Sequence, residues 1–282
     1  MKEKTMKKKI VFSAVLALTI AATFALTGCG GGEDDAKSGD DKVIKVGATP
    51  APHAEVLEVI KDNLEEEGYT LEIVEYNDYI LPNKGVTAGD LDANYFQHIS
   101  YLNNYNEENE TDLVSAGSIH YEPFALYPGK TASIDSLADG AKIAVPNDGT
   151  NEGRALKLLE AEGLIELDPD AGFLATKLDI VKNPKNLEIV EMEAAQLPRV
   201  LTDVDMAVIN GNYAIDAGLN LSDAIAVEAD DSEAAEAYAN VVAVKKGNEN
   251  SDKIKALVAA LQSEEVRKFM EETYGGAVVP LF

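Results

Sequence analysis

The chain has 282 residues and carries 50 acidic side chains against 24 basic ones, a formal net charge of −26. That balance excludes binding to a nucleic-acid backbone, or docking on anionic lipid by charge, and acts mainly to keep the chain soluble. The length suits one large domain or two of ordinary size, and a single cysteine excludes a fold stapled by internal disulfides.

The first segment sets the compartment. Lys2, Lys4, Lys7, Lys8 and Lys9 form a basic start, and an uncharged, mostly apolar run follows from Ile10 to Leu26. With the small residues before Cys29 this is a secretory signal pattern. Leu26-Thr27-Gly28-Cys29 resembles a bacterial lipobox, in which the cysteine becomes the lipidated first residue of the mature chain. The alternative is an uncleaved anchor, for which the run is barely long enough; either places the rest outside the cytoplasm. Residues 1–28 hold five Lys and one Glu, so the remainder has 19 basic and 49 acidic side chains, −30 net. Gly30 to Asp41, rich in Gly and charge, reads as a flexible tether.

Strands and helices then alternate. Val43–Ala48 is expected as a strand and Pro52–Glu67 as a helix, with Val56, Val59, Ile60 and Leu64 at helical spacing and Gly68 ending it. Strand Thr70–Glu75, a short helix Leu81–Ala88, strand Leu91–Phe96 and a polar helix near Tyr101–Asn106 come next. Leu113–Ser118 and Ile119–Tyr127 read as extended, and Pro128-Gly129 breaks the pattern. A second series holds strands Ala141–Val145, Leu187–Met192 and Met206–Asn210, with helices Glu152–Glu162, Ala194–Leu201 and Tyr213–Gly218. Strand Val241–Lys245 and helices Ser251–Gln262 and Ser263–Tyr274 close the chain, the last opened by Ser263 as N-cap. Such alternation predicts α/β structure with largely parallel sheets. Two series predict two lobes, and a return of the terminal helices to the first lobe would make a hinged cleft.

The polar groups that could meet a ligand are few. Asp92–Tyr101 sets three aromatic rings and an imidazole within a few residues, in a chain with three His. Groups apolar on the face and polar at the tip line small-molecule pockets, and also pack into cores. Arg154, one of three arginines, sits where a polar loop, Pro146 to Gly153, enters a helix. A cation in a first helical turn opposes the dipole, so an anionic ligand or an ion pair with one of the many acids would answer to it. Asn210 and Asn212 flank Gly211 at the end of a buried strand, at the edge where open α/β sheets bind ligands; amide oxygens there could accept from an ammonium, and Asn-Gly turn chemistry explains part of the pattern. Asn240 precedes the Val241 strand at the expected crossover. No serine elbow or phosphate loop is present, and His53, His98 and His120 lack metal-ligand spacing, so neither an enzyme nor a metal or cofactor is expected.

Signal and lipobox, Val46–His53, Asp92–His98, Asn151–Leu156, Gln196–Arg199 and Val208–Ala214 together resemble the methionine-binding lipoprotein family (MetQ/NlpA type), the substrate-binding proteins of ABC importers. The resemblance implies an α/β, two-lobed, periplasmic-binding-protein-like fold of type II, with the ligand in the cleft. Residues 1–28 would be the signal peptide, 29–42 the lipidated Cys29 and tether, 43–127 with 241–282 the first lobe, and 128–240 the second. It implies that Arg154 holds a ligand carboxylate, that Asn212 and Asn240 hold amino and carboxylate groups, and that Tyr79, Phe96, His98 and Tyr101 enclose a thioether side chain. Ser100 and Pro128 depart from residues common in the family, Pro and Ser respectively. The implied partners are methionine, an ABC permease with its cytoplasmic ATPase and, through Cys29, the outer face of the cell membrane; a monomer is expected. Sulfur's softness suits the aromatic slot, and a methionine dipeptide, D-methionine or another apolar amino acid would fit the same reading. A secreted hydrolase and a non-transport scaffold lipoprotein are the alternatives from other classes.

Overall fold

The computed structural model describes residues 42–229 and 232–282. The signal segment, Cys29 and the tether lie outside them. In chain order the elements run β1 (Val43–Ala48), α1 (Glu55–Val59), α2 (Lys61–Glu66), β2 (Thr70–Glu75), α3 (Leu81–Ala88), β3 (Ala93–His98), α4 (Ile99–Asn109) and β4 (Leu113–Tyr121). The chain continues through β5 (Ala125–Pro128), β6 (Lys142–Pro146), α5 (Gly149–Ala161), β7 (Glu166–Leu167), β8 (Ile180–Lys182), β9 (Glu188–Met192), α6 (Leu197–Val200), β10 (Met206–Ile209), α7 (Gly211–Asp216) and β11 (Ala226–Val227). It ends with α8 (Ser232–Ala237), β12 (Ala239–Lys245), α9 (Asp252–Leu261), α10 (Glu264–Tyr274) and β13 (Val279–Pro280).

Two main sheets form, ordered β13-β4-β12-β3-β1-β2 and β11-β5-β10-β6-β9. Each has the same plan. Three parallel strands (β2-β1-β3 and β9-β6-β10) come from local β-α-β crossovers, and beside them lies an antiparallel strand entering from the other half of the chain, β12 in the first sheet and β5 in the second. The sheets are therefore mixed rather than largely parallel, because those entering strands run against their neighbours. The fold is two-lobed, and the chain passes between the sheets twice, at Glu122–Phe124 and at 228–238.

Each sheet is buried on both faces, which is why its strands read as apolar runs. Along β12, Val242 and Val244 join Ile44, Val46, Leu57 and the inner faces of α9 and α10 (Leu257, Leu261, Val266, Met270). The alternate residues Val241 and Ala243 join Val86 of α3 and Leu102 of α4 on the other face. In the second sheet Ile143, Val145 and Val208 pack on Leu156 and Leu159 of α5, while Ala144, Ala207 and Ile209 face Leu197 and Tyr213.

Several boundaries move from expectation. The helix expected over Pro52–Glu67 is two, α1 and α2, broken at Ile60, whose φ −96°, ψ 2° leaves the helical region. The extended run Ile119–Tyr127 is two strands in different sheets, since Glu122–Phe124 is a crossing and β5 pairs with β10 and β11. Helix α5 starts at Gly149, with Asp148 as N-cap accepting from the Asn151 N–H at 3.0 Å. Arg154 thus lies in the second turn, and the dipole argument for an anion beside it falls away.

Candidate ligand-binding site

The carboxyl ends of β1, β3, β6 and β10 converge where the chain crosses between the sheets. They border a small cavity of about 20 Å³ lined by Tyr79, Phe96, His98, Tyr101, Glu122, Phe124, Asn151, Arg154, Asn210, Gly211, Asn212 and Asn240, with Gln97. All seven side chains singled out for the pocket in the sequence border this one space. Tyr79 comes from the loop before α3, Phe96 and His98 from β3 and Tyr101 from α4; Arg154 is on α5, Asn212 on α7 and Asn240 on β12.

One wall is aromatic. The Tyr79 ring lies 5.8 Å from Phe96, 5.7 Å edge-on to Tyr101 and 5.0 Å from Tyr213, on which it stacks. His98 closes the corner, 6.2 Å edge-on to Tyr101. Its Nδ1 caps α4 by accepting from the Tyr101 N–H at 3.0 Å, and its Nε2 donates to Asn151 Oδ1 at 3.2 Å. Burial, and then the charge of Arg154, lower its pKa to about 3. His98 is thus a neutral ring with both nitrogens engaged within the protein, and it offers the cavity a ring surface.

The other wall is polar and oriented. Asp148 accepts from the Asn151 amide nitrogen at 2.8 Å, which points Asn151 Oδ1 toward His98 and toward Asn210 Nδ2 at 3.1 Å. That sequence of bonds leaves the buried Asn210 Oδ1 without a partner among the described residues. Burial holds the Tyr79 hydroxyl in its protonated form, and it donates to Asn212 Oδ1 at 2.5 Å. Asn212 Nδ2 is in turn left buried and, among the described residues, unpartnered. One orphan acceptor and one orphan donor thus border the same cavity, where an unmade hydrogen bond is costly.

Charge is arranged around them. Arg154 is 4% exposed. Its Nε donates to both Glu228 oxygens at 2.9 and 3.1 Å, and its Nη2 to Glu228 Oε2 at 2.5 Å and to the Glu122 carbonyl at 2.8 Å. Of the two partners weighed for this arginine from sequence, the ion pair is present. Burial alone would lower its pKa; the Glu228 carboxylate outweighs that and raises it. Glu122 lines the cavity floor, where His120 Nε2 donates to its Oε1 at 2.8 Å and His53 Nε2 stands 3.4 Å away. Burial raises its pKa, opposed by His53, Arg154 and the Asn212 backbone N–H. Gly211 keeps this packing possible, since a Cβ there would meet Glu122 Oε2 at 2.6 Å.

His53, His120 and Glu122 offer donor atoms within 4.8 Å of one another and could in principle hold a metal. The two histidines come from the start of the chain's α/β series and from β4, so spacing along the sequence gave no sign of the cluster. The group closes without an ion. Thr49 Oγ donates to His53 Nδ1 at 2.7 Å and the Tyr95 hydroxyl to His120 Nδ1 at 2.5 Å, while His53 Nε2 reaches Asn240 Oδ1 at 3.1 Å. Burial lowers these imidazoles to about 4 for His53 and about 3 for His120, so both stay neutral. Glu122 and Phe124 were missed from sequence because one acid among 50 carries no signal until a fold buries it. Asn210 and Asn151 could be found only as strand-end and loop amides.

Among the described residues no helix is long and apolar enough to cross a membrane. The NlpA lipoprotein family model matches residues 44–282. The D-methionine-binding lipoprotein MetQ of Salmonella typhimurium is 43% identical over 272 residues, covering 95% of this chain and 96% of that protein. A nutrient binding protein from Burkholderia cenocepacia, solved bound to methionine, superposes with a TM-score of 0.81 at 45% identity, covering 85% of this chain and 100% of that one. The substrate binding protein of a methionine transporter from Streptococcus pneumoniae gives 0.80 at 36% identity, with 86% and 96% covered. By sequence and fold along the whole described length, this chain belongs to the NlpA lipoprotein family.

Proposed function

We propose that this chain is the substrate-binding protein of an ABC importer, held by a lipid on Cys29 at the outer face of the cell membrane. It captures methionine as a monomer and hands it to a permease driven by a cytoplasmic ATPase. It performs no chemistry on the ligand and needs no cofactor. The observation that carries this reading is the pair of buried, unpartnered amide atoms, Asn210 Oδ1 and Asn212 Nδ2, bordering the same cavity as Arg154 and Glu122. An acceptor and a carboxylate suit an ammonium; a donor and a guanidinium suit a carboxylate. Asn240 completes the polar end. Tyr79, Phe96, His98 and Tyr101 take the side chain, and ring edges around a polarizable sulfur suit a thioether. The solved relative bound to methionine and the relatives named for D- or unspecified methionine support the ligand class; L-methionine is the form proposed here.

The lobes are proposed as 43–121 with 239–282 and 125–227. The sequence-based boundary after Tyr127 moves because β5 pairs into the second sheet. The aromatic wall and the second lobe's polar groups already meet, through Tyr79–Asn212 and His98–Asn151; opening the cleft would part them, and a ligand with higher affinity for the closed state shifts the balance toward it. Native mass spectrometry of the full chain, released from detergent as purified, tests the reading. A bound mass of methionine is expected. A dipeptide or another amino acid keeps the class and changes the substrate. A ligand-free protein that neither L- nor D-methionine stabilises against heat overturns the proposal.

A further inference from the structure

Every hydrogen-bond and stacking partner of the Arg154 guanidinium among the described residues lies on, or at the edge of, one of the two segments that link the sheets. The first link supplies the Glu122 carbonyl and the Phe124 ring, 4.2 Å from Arg154 Cζ; the second supplies the Glu228 carboxylate and the Tyr238 ring at 4.0 Å. Tyr121, the last residue of β4, adds its ring at 5.6 Å. Its hydroxyl donates to Glu228 Oε2 at 2.5 Å, and the Phe124 N–H reaches the same oxygen at 3.3 Å. The two links are therefore tied to each other through Glu228 and to helix α5 through Arg154.

The arginine's donors are divided in consequence. Of its five N–H groups, those on Nε and Nη2 are spent on Glu228 and Glu122, and Nη1 makes no hydrogen bond among the described residues. We infer that Glu228 is a positioning residue for ligand capture: by occupying the Nε–Nη2 edge of Arg154 and binding Tyr121 of the first sheet, it presents the Nη1 end to a ligand carboxylate and joins that contact to the hinge. The inference rests on the proposed role of Arg154 toward a carboxylate. It makes a prediction opposite in sign to simple electrostatics. If Glu228 only neutralised Arg154, its removal would leave a stronger attraction for an anion. If it positions Arg154, its removal frees the fork to turn and unties the links, and carboxylate binding weakens.

The test is calorimetric titration of the detergent-solubilised full chain with L-methionine and with methioninol, which has a hydroxymethyl group in place of the carboxylate. Glu228→Gln is expected to raise the Kd for methionine at least tenfold while changing that for methioninol much less, so that discrimination between the two shrinks. Tyr121→Phe keeps the ion pair and drops only the hydroxyl bond to Glu228; a shift of about threefold in the same direction is expected, and this variant decides the matter if Glu228→Gln does not fold. Unchanged or tighter methionine binding, or equal losses on both compounds, overturns the inference. Failure of the parent protein to bind methionine at all would instead overturn the proposed function.

Discussion

Asn212 carries two roles on one amide. Its oxygen accepts from Tyr79, and its nitrogen is buried in the cavity wall without a partner. Asn212→Asp keeps the shape and the acceptor for Tyr79 but replaces the donor with an oxygen that repels a carboxylate. The cost of such a reversed polar contact is on the order of 2–5 kcal/mol. Methionine affinity should therefore fall by at least roughly thirtyfold in calorimetric titration. Wild-type affinity in this variant would remove Asn212 from the carboxylate site. His98 gives a second prediction at this scale. Its folded pKa of about 3 lies below the unfolded value near 6.5. Between those values the unfolded chain binds the extra proton, so stability rises with pH through that window and is lost as pH falls from 6.5 toward 3. The slope from one such group is about 1.4 kcal/mol per pH unit. His98→Gln removes this titration. Chemical denaturation at pH 7 and pH 4.5 should show the parent losing about 2.5 kcal/mol more than the variant; parallel losses would mean that His98 is not held neutral.

Helix α5 shows how one element serves both fold and site. Asp148 caps it, Asn151 and Arg154 face the cavity, and Leu156 and Leu159 face the second core. Between the two polar side chains stands Gly153, where a Cβ would come within 2.3 Å of the Phe173 carbonyl oxygen. Helix propensity alone says that Gly153→Ala should stabilise by about 1 kcal/mol. Contact with rigid backbone says the reverse, by roughly 1–3 kcal/mol, with α5 displaced. A lower melting temperature together with weaker methionine binding is expected, and a higher melting temperature would show that the segment at Phe173 yields. Such elements mark the limit of what the sequence displays. The helix periodicity of Leu156 and Leu159 was legible, as were the β10 strand and the Ser263 cap of α10, whose hydroxyl accepts from Val266 N–H. These are local patterns, set by spacing and capping chemistry. The start of α5 was misplaced by three residues because Gly149 and Asn151 are poor helix formers that depend on the Asp148 cap. The aromatic wall was legible as a composition, Asp92–Tyr101, and Tyr79 through the family resemblance. Glu122 and Glu228 were not, because a buried charge is recognisable only from the groups that a fold brings to it over long sequence separation.

At the scale of the molecule, each sheet has its own core, on apolar clusters that do not mix the two sets of strands. The candidate site belongs to neither. Phe96, His98, Tyr101 and Asn240 ride on elements of the first sheet, and Asn151, Arg154 and Asn212 on helices beside the second. A ligand that needs both groups binds only the state in which both lobes are folded. It therefore adds RT ln(1 + [L]/Kd) to that state and nothing to a molecule with one lobe unfolded. Without ligand the lobes are coupled by two links, the Arg154–Glu228 cluster and a few contacts across the site such as Tyr79–Asn212 and His98–Asn151, and heating should let the less stable lobe open first. Scanning calorimetry should then record a calorimetric enthalpy above the van't Hoff value. At a hundredfold excess of methionine over Kd the added stability is about 2.7 kcal/mol, enough to raise the lower transition by roughly 10 °C for a lobe of this size. The first transition should move up until it merges with the second and the two enthalpies agree. If methionine instead shifts a single transition that was already two-state, the lobes unfold as one unit and the ligand reports only on their sum. If the lower transition stays in place while binding is independently measured, the ligand is held by one lobe alone, and the division of the site between the two sheets is wrong.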